Sequence, residues 1–279
     1  MRNVLITGSS SGIGYCVAHG LRERGYQVYA TARKPEDVAR LAAEGFKAMR
    51  LDLADPESVQ DAVHELMLRT NSELYAVFHN GAYGQAGALE DLSREVLERQ
   101  FATNVFGWHQ LTVALLPLFR QRNEGRIIYN SSLLGFVALP FRGAYNASKY
   151  AIEGLADTLR LELVDTDIKV CLIEPGPVTS RFRANALQSL RDNVNITQSV
   201  HRDKYQGAIK RLEKVGPAAP FTLPPEAVLA KVIAALESPN PSARYPVTFP
   251  SHLFWALRRV LPTRWLDKFL LYISKSENK

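Results

Sequence analysis

From Asn3 onward, apolar runs of strand length alternate with stretches whose apolar residues recur at helical spacing. Residues 3–7 are a run of Val, Leu, Ile and Thr, and residues 12–24 then repeat Ile13, Val17 and Leu21 at the helical period. Residues 26–31 and 47–51 read as the next strands, and 56–68 as a helix with Asp55 as its cap. A buried strand at 74–79, a long helix around 97–119, a strand at 126–131, a helix at 144–163 and a strand at 168–173 continue the rhythm. Strands separated by helices predict parallel pairing, and so an α/β fold with a doubly wound parallel sheet. With 279 residues, 46% of them apolar, the chain has enough material for one large core. We read residues 1–279 as a single domain.

Beyond Pro175 the rhythm breaks. Residues 179–222 are polar and weakly periodic, and end in the turn-rich Gly216-Pro217-Ala218-Ala219-Pro220. A stretch of this length suits a substrate-binding lid or short helices. A helix at 225–236 and a last strand at 244–248 follow.

Thr7-Gly8-Ser9-Ser10-Ser11-Gly12-Ile13-Gly14 closes the first strand and opens the first helix. Glycines let a backbone bend there and approach a phosphate with no Cβ in the way, and the free amides at the helix start favour an anion. The strand–turn–helix setting is what gives such a string weight, since its spacing is G-x-x-x-G-x-G and not the common G-x-G-x-x-G. At the end of the second strand, Tyr29-Ala30-Thr31-Ala32-Arg33-Lys34 offers cations where an acid would accept from an adenosine ribose hydroxyl. A guanidinium there suits a 2′-phosphate, so Arg33 predicts NADP over NAD, the alternative being a solvated surface arginine.

Tyr145-Asn146-Ala147-Ser148-Lys149 starts a long helix, and its i, i+4 spacing puts Tyr145 and Lys149 on one face. An ammonium beside a phenol favours the phenolate and would bring its pKa toward a range useful for acid–base work. Alone, such a pair would read as a structural tyrosine and a solvated lysine; the glycine turn upstream reverses that preference.

Together, T-G-S-S-S-G-I-G and Y-N-A-S-K resemble the short-chain dehydrogenase/reductase family, over a region from Val4 to about Ser180. The resemblance implies a Rossmann-like oxidoreductase in which Tyr145 is the acid/base and Lys149 also holds the nicotinamide ribose. The family's serine lies thirteen residues before its tyrosine, where this chain has Ser132. By resemblance Ser132 orients the substrate oxygen and Asn104 supports a proton relay. Gly8, Ser10, Ser11, Gly12, Ile13 and Gly14 would cradle the cofactor, Asp52 and Leu53 would border its adenine, and Pro175, Gly176 and Val178 would flank its nicotinamide. Asn80, Gly81 and Ala82 would also border it, although the family's N-N-A-G is His79-Asn80-Gly81-Ala82 here. That exchange puts the backbone at Ala82 in question, and His79 reads as a satisfied interior histidine. Ser11 stands where many NADP-using members carry a cation, so the NADP reading leans on Arg33.

Within the family, Tyr29 to Arg33, the 140–155 stretch, Ile173-Glu174-Pro175-Gly176-Pro177 and Arg244-Tyr245-Pro246 resemble a group of 17β-hydroxysteroid and retinol dehydrogenase-like enzymes that includes bacterial aldehyde reductases. This implies a hydrophobic aldehyde, ketone or alcohol as substrate. Leu133, Leu134, Phe136, Leu139 and Phe141 could line its pocket or simply pack in the core. The family also implies a homodimer or homotetramer through the long helices. A membrane-associated steroid- or retinol-type alcohol dehydrogenase and a non-catalytic NADP-sensing protein are the rival readings.

The net charge of +6 is concentrated in residues 251–279, where basic residues mix with aromatics. No broad basic stripe or reading motif suggests nucleic acid. The segment fits a helix on an anionic membrane, one gripping a partner subunit, or one packed over the pocket. Two cysteines, Cys16 and Cys171, form no disulfide framework or zinc pattern, and no metal is expected. The reading is a cytoplasmic protein without a signal peptide or membrane span.

Overall fold

The computed structural model describes residues 1–217 and 219–277. Its first half runs β1 (Asn3–Ile6), α1 (Gly12–Glu23), β2 (Gln27–Ala32), α2 (Pro35–Ala43), β3 (Lys47–Arg50), α3 (Pro56–Thr70), β4 (Ala76–His79), α4 (Arg94–Phe101) and α5 (Gly107–Arg122). There follow β5 (Gly125–Asn130), α6 (Gly143–Glu162), β6 (Ile168–Glu174), α7 (Phe182–Asn193), α8 (Arg202–Glu213), α9 (Glu226–Glu237), β7 (Arg244–Pro246), α10 (Phe249–Val260) and α11 (Thr263–Glu277).

The strands pair in parallel throughout, in the order β3-β2-β1-β4-β5-β6-β7. Side chains alternate across the pleat, so each strand feeds two cores. On one face Leu5, Val77, Ile127 and Val170 pack with Leu66, Leu111 and Ile152 from α3, α5 and α6. On the other, Val4, Ile6, Phe78 and Ile173 pack with Val17 and Leu21 of α1, Leu41 of α2 and Val232 of α9. The doubly wound parallel sheet expected from the sequence is therefore present. β1 and β4 are neighbours, yet the chain goes outward through β2 and β3 before returning to β4. Connections leave these two strands in opposite directions, which opens a crevice at their carboxyl ends.

Local chemistry explains the boundaries. Asp55 caps α3 as expected, its carboxylate accepting from the Glu57 amide at 3.0 Å, with Pro56 at the first helical position. α2 was not among the expected elements, although Pro35, Glu36 and Asp37 mark its start and Leu41 packs into the core with Val38 against it. The single helix expected around 97–119 is two, α4 and α5, joined by a π-helical turn at Ala102–Phe106. A Cβ on Gly107 would lie 1.9 Å from the Leu53 carbonyl oxygen, so the backbone itself packs tightly there. Residues 179–222 hold two helices, α7 and α8, whose Ala186, Leu190, Tyr205 and Leu212 pack with Ala86 and Ala88. Of the expected 216–220 turn, Ala218 lies outside the described residues, as do Asn278 and Lys279 of the C-terminal segment.

Candidate active site

The glycine turn occupies the crevice between β1 and β4. Gly8 and Gly12 adopt φ of +67° and +59°, where a side chain would be strained. Gly14 is needed for space: a Cβ there would meet the Gly8 carbonyl oxygen at 2.2 Å and Asn80 Nδ2 at 2.5 Å. Thr7 and Asn80 fasten the turn. The Thr7 hydroxyl accepts from the Asn80 and Gly81 amides at 2.8 and 2.9 Å, while Asn80 Nδ2 donates to the Thr7 and Gly8 carbonyls at 3.1 and 3.0 Å. Ser11 is the extended residue preceding α1; its side chain makes no capping bond, and the first turn contains no acid. Together with half-buried Ser10 and Ile13, the turn presents amides and a helix dipole toward an anion. This donor set fits a nucleotide phosphate.

Around the turn, Arg33 is exposed just past β2 and pairs with no carboxylate among the described residues, whereas Lys34 pairs with Glu36 at 3.7 Å. Asp52 is half-buried, its Oδ1 accepting from the Ala54 amide at 3.0 Å. Leu53 is buried beside Gly81. Sequence reasoning missed Arg40, whose guanidinium donates to the Ser10 carbonyl at 2.7 Å and also binds Glu44 at 2.8 Å.

The exchanged small residues are accommodated. Neither Gly81 nor Ala82 has a positive φ. Gly81 is the position that demands a small residue, since a Cβ there would sit 3.0 Å from Leu53 Cδ1 and 3.2 Å from the Gly8 nitrogen. Its carbonyl accepts from the Trp108 indole at 2.8 Å. His79 is fully buried, stacked on Tyr129 at 4.8 Å and on Trp108 at 5.5 Å, and burial holds its pKa down to about 3. Thr112 donates to the Trp108 carbonyl, so it accepts from His79 Nε2–H at 2.9 Å and from the Tyr129 hydroxyl at 2.8 Å. His79 Nδ1 is left without a partner, so this interior histidine is only half satisfied.

Tyr145 and Lys149 lie one turn apart on α6, and Ser132 follows β5. Lys149 Nζ is buried, donates to the Asn130 carbonyl at 2.6 Å and lies 5.6 Å from the centre of the Tyr145 ring. A hydrogen bond joins Ser132 and Tyr145, and the Ser132 hydroxyl also accepts from the Leu134 amide at 3.1 Å. The lowering of the phenol pKa expected from Lys149 is reversed here. Burial raises Tyr145 above its usual value, countered only by Ser132, and burial pushes Lys149 down to about 7, countered by Glu153. Asn104 sits in the π-helical turn, where its amide brackets Tyr83: Nδ2 donates to the Tyr83 carbonyl at 2.9 Å and Oδ1 accepts from its amide at 3.2 Å. Nδ2 also donates to the Ser148 hydroxyl at 3.1 Å, which ties the π-helical turn to α6 beside Lys149. Such an insertion shifts the helical hydrogen-bond register, a feature frequent at functional sites.

Pro175, Gly176 and Val178 run from the end of β6 past the site. The Pro175 carbonyl accepts from the Leu133 amide at 2.8 Å, a Cβ on Gly176 would meet Thr248 Oγ1 at 2.2 Å, and Val178 bridges to Leu223. Immediately before them, Glu174 is fully buried, and burial with Glu153 nearby pushes its pKa up to about 8. Arg244 reaches Glu153 at 3.1 Å, Asp157 at 2.7 Å and Glu174 at 3.1 Å. Sequence reasoning gave this cluster no part, because its members are far apart in the chain.

Four of the five residues weighed as pocket lining or core gather in one packed cluster. Leu133, Leu134, Leu139 and Phe136 pack beside Tyr145, and α10 and α11 complete the group with Phe254, Leu257 and Phe269. Phe141 instead turns toward α8, 5.1 Å from the Tyr205 ring. Phe182 of α7, missed from sequence, packs edge-on against Tyr145 at 5.0 Å. The C-terminal segment is thus a helical cover over this apolar group, and among the described residues no helix is long and apolar enough to cross a membrane.

A family profile described as short chain dehydrogenase matches residues 2–191. The chain is 46% identical over 269 residues to an uncharacterized oxidoreductase, YbbO, of Escherichia coli K12, covering 96% of this chain and 94% of that one. It is 31% identical over 276 residues to an NADPH-dependent 3-dehydrocapnine reductase of Ornithobacterium rhinotracheale, covering 96% and 95%. Over 260 residues it is 32% identical to retinol dehydrogenase 8 of Bos taurus, covering 87% and 80%.

Proposed function

Because the chain belongs to the short-chain dehydrogenase family and is an oxidoreductase, we propose that it interconverts a hydrophobic aldehyde or ketone with its alcohol using NADP(H). The observation that carries this is the Tyr145 hydroxyl, hydrogen-bonded to Ser132 and one helical turn from Lys149, beside a glycine turn with free amides. NADPH, when bound, supplies a hydride to the carbonyl carbon. Ser132 orients the carbonyl oxygen and Tyr145 delivers the proton that turns it into a hydroxyl. A phenol raised by burial is protonated at neutral pH, which suits it to donate and favours reduction. Lys149 holds the ribose and replaces the proton, with Asn104 and its π-helical turn supporting the relay.

Arg33, exposed beside the turn with no carboxylate partner among the described residues, supports NADP over NAD, as does the NADPH in the name of one relative. The apolar group around Tyr145 supports a lipophilic substrate, with residues 179–222 as its binding segment. Exposed Val113, Leu155 and Leu161 on α5 and α6 support a homodimer or homotetramer, and two uncrosslinked cysteines suit the cytoplasm.

Tyr145→Phe tests the assignment. NADPH consumption with a medium-chain aldehyde should fall by about 10²–10⁴-fold while NADPH fluorescence titration is unchanged. Retention of most of the activity would remove Tyr145 from its role. Absence of binding to either NADPH or NADH by the unaltered protein would overturn the whole reading.

A further inference from the structure

α10 and α11 form a hairpin whose two faces differ in chemistry. Inward, Phe254, Leu257, Leu266, Phe269, Leu270 and Ile273 pack in one cluster with Leu133 and Leu134, against which Tyr145 also packs. Outward, Trp265 is 67% exposed and Tyr272 72%, with Trp255 and Leu271 also exposed. Arg264, Lys268 and Lys275 stand among them on the same side of α11, at the i, i+4, i+11 positions of a single stripe. Arg259 lies over the Trp255 ring at 3.4 Å, and Lys268 is 5.8 Å from that of Trp265. The exposed Phe249 and Phe221 rings lie 4.8 Å apart, tilted by 44°, where α10 begins.

The charge on this face has one sign. From Phe249 to Lys275 there are five cations, Arg258, Arg259, Arg264, Lys268 and Lys275, against the single acid Asp267. Among the described residues, Arg264, Lys268 and Lys275 pair with no carboxylate. A second copy of the chain meeting this face across a two-fold axis would set cations against cations. Indole and phenol rings between unpaired cations instead match the headgroup layer of an anionic bilayer, where rings enter the boundary and cations meet phosphate.

We propose that the outer face of the α10–α11 hairpin docks on an anionic phospholipid surface, so that apolar substrates pass from lipid to the pocket beside Tyr145 along the hairpin's inner face. The delivery half rests on the oxidoreductase reading; the docking half does not.

The test is cosedimentation of the full chain with phosphatidylcholine vesicles, with and without phosphatidylglycerol. Binding is expected only with phosphatidylglycerol at low salt, with release at high salt. Arg264→Gln/Lys268→Gln should weaken partitioning roughly 30-fold, two cations at ~1 kcal/mol each. Trp265→Ser/Tyr272→Ser should weaken it independently of salt. Thermal melting and NADPH binding of both variants should match the unaltered protein. No binding to phosphatidylglycerol vesicles, or equal binding by the variants, would overturn the proposal. So would dissociation of a soluble oligomer by these substitutions, since the face would then join copies of the chain. Vesicle binding without turnover of a water-soluble aldehyde would support docking while overturning the proposed aldehyde-reducing activity and the delivery half with it.

Discussion

The Lys149 ammonium lies 4.3 Å from the centre of the Trp108 ring, over the face of an indole that is itself stacked on His79. Its surroundings are the Asn130 carbonyl, the Tyr145 ring and, one turn along α6, the Glu153 carboxylate. Burial favours neutral lysine, while the indole face and Glu153 favour the charged form.

Trp108→Leu removes an attraction worth about 2 kcal/mol at a desolvated site, or roughly 1.5 pH units. The change favours the neutral amine, so the Lys149 pKa should fall below about 7. If turnover requires the ammonium, the alkaline limb of the pH–rate profile moves to lower pH by about 1.5 units. Trp108→Phe should restore most of the original profile. An NMR titration of the lysine ¹³Cε in the cofactor-free protein reads the same change, and an unmoved resonance would refute it.

The two small residues after Asn80 should respond oppositely to exchange. Gly81→Ala forces a Cβ against Leu53 and the Gly8 backbone, so NADPH binding should weaken by at least about tenfold and the melting temperature should drop. Ala82→Gly meets no such contact and should cost at most about 1 kcal/mol. Parallel melts and fluorescence titrations of both variants would check this.

Arg33→Ala should discriminate between cofactors. Losing a charge-assisted contact to a 2′-phosphate costs about 1.5–3 kcal/mol, or roughly 10–150-fold in NADPH affinity. NADH affinity should scarcely change, and neither should the melting temperature, because Arg33 is exposed with no carboxylate partner. Equal losses for both cofactors would count against the phosphate role.

Glu174 should make stability depend on pH. Its pKa is raised from 4.5 to about 8, so between those values the native state keeps a proton that the unfolded chain releases. Its contribution is therefore full below pH 4.5 and declines as pH rises toward 8. Glu174→Gln mimics the protonated acid at every pH. Urea denaturation should show variant and unaltered protein matching near the low end of that range. Toward the high end the variant should gain ~1.4 kcal/mol for each pH unit climbed.

The sheet was legible because each buried strand is an apolar run bounded by turn residues. Helix α2 was not, since its inner face of Val38 and Leu41 spans only nine residues, too short for the stripe to repeat. The division of α4 from α5 was hidden because a π-helical turn adds one residue to a pattern that still reads as helical. The pairing of Tyr145 and Lys149 was legible from their i, i+4 spacing beside the glycine turn, and Ser132 only through the family resemblance. The direction in which their pKa values move was not, because Lys149 loses its water to Trp108 and Asn130, residues that approach it from other elements. Arg244 escaped for the same reason: its three carboxylates sit on α6 and β6.

Asn80 grips the Gly8 carbonyl with one end of its amide and accepts from Asn130 Nδ2 at 2.9 Å with the other. Asn130 in turn takes the Lys149 ammonium on its carbonyl. Three hydrogen bonds thus run from the glycine turn to Lys149, the lysine proposed to relay the proton. The distance between the two is a manufactured dimension of the sheet, fixed when the chain folds. In the proposed reaction, a substrate arriving at this site has only its own position to adjust, and the alignment of hydride source with proton source is inherited from β1, β4 and β5.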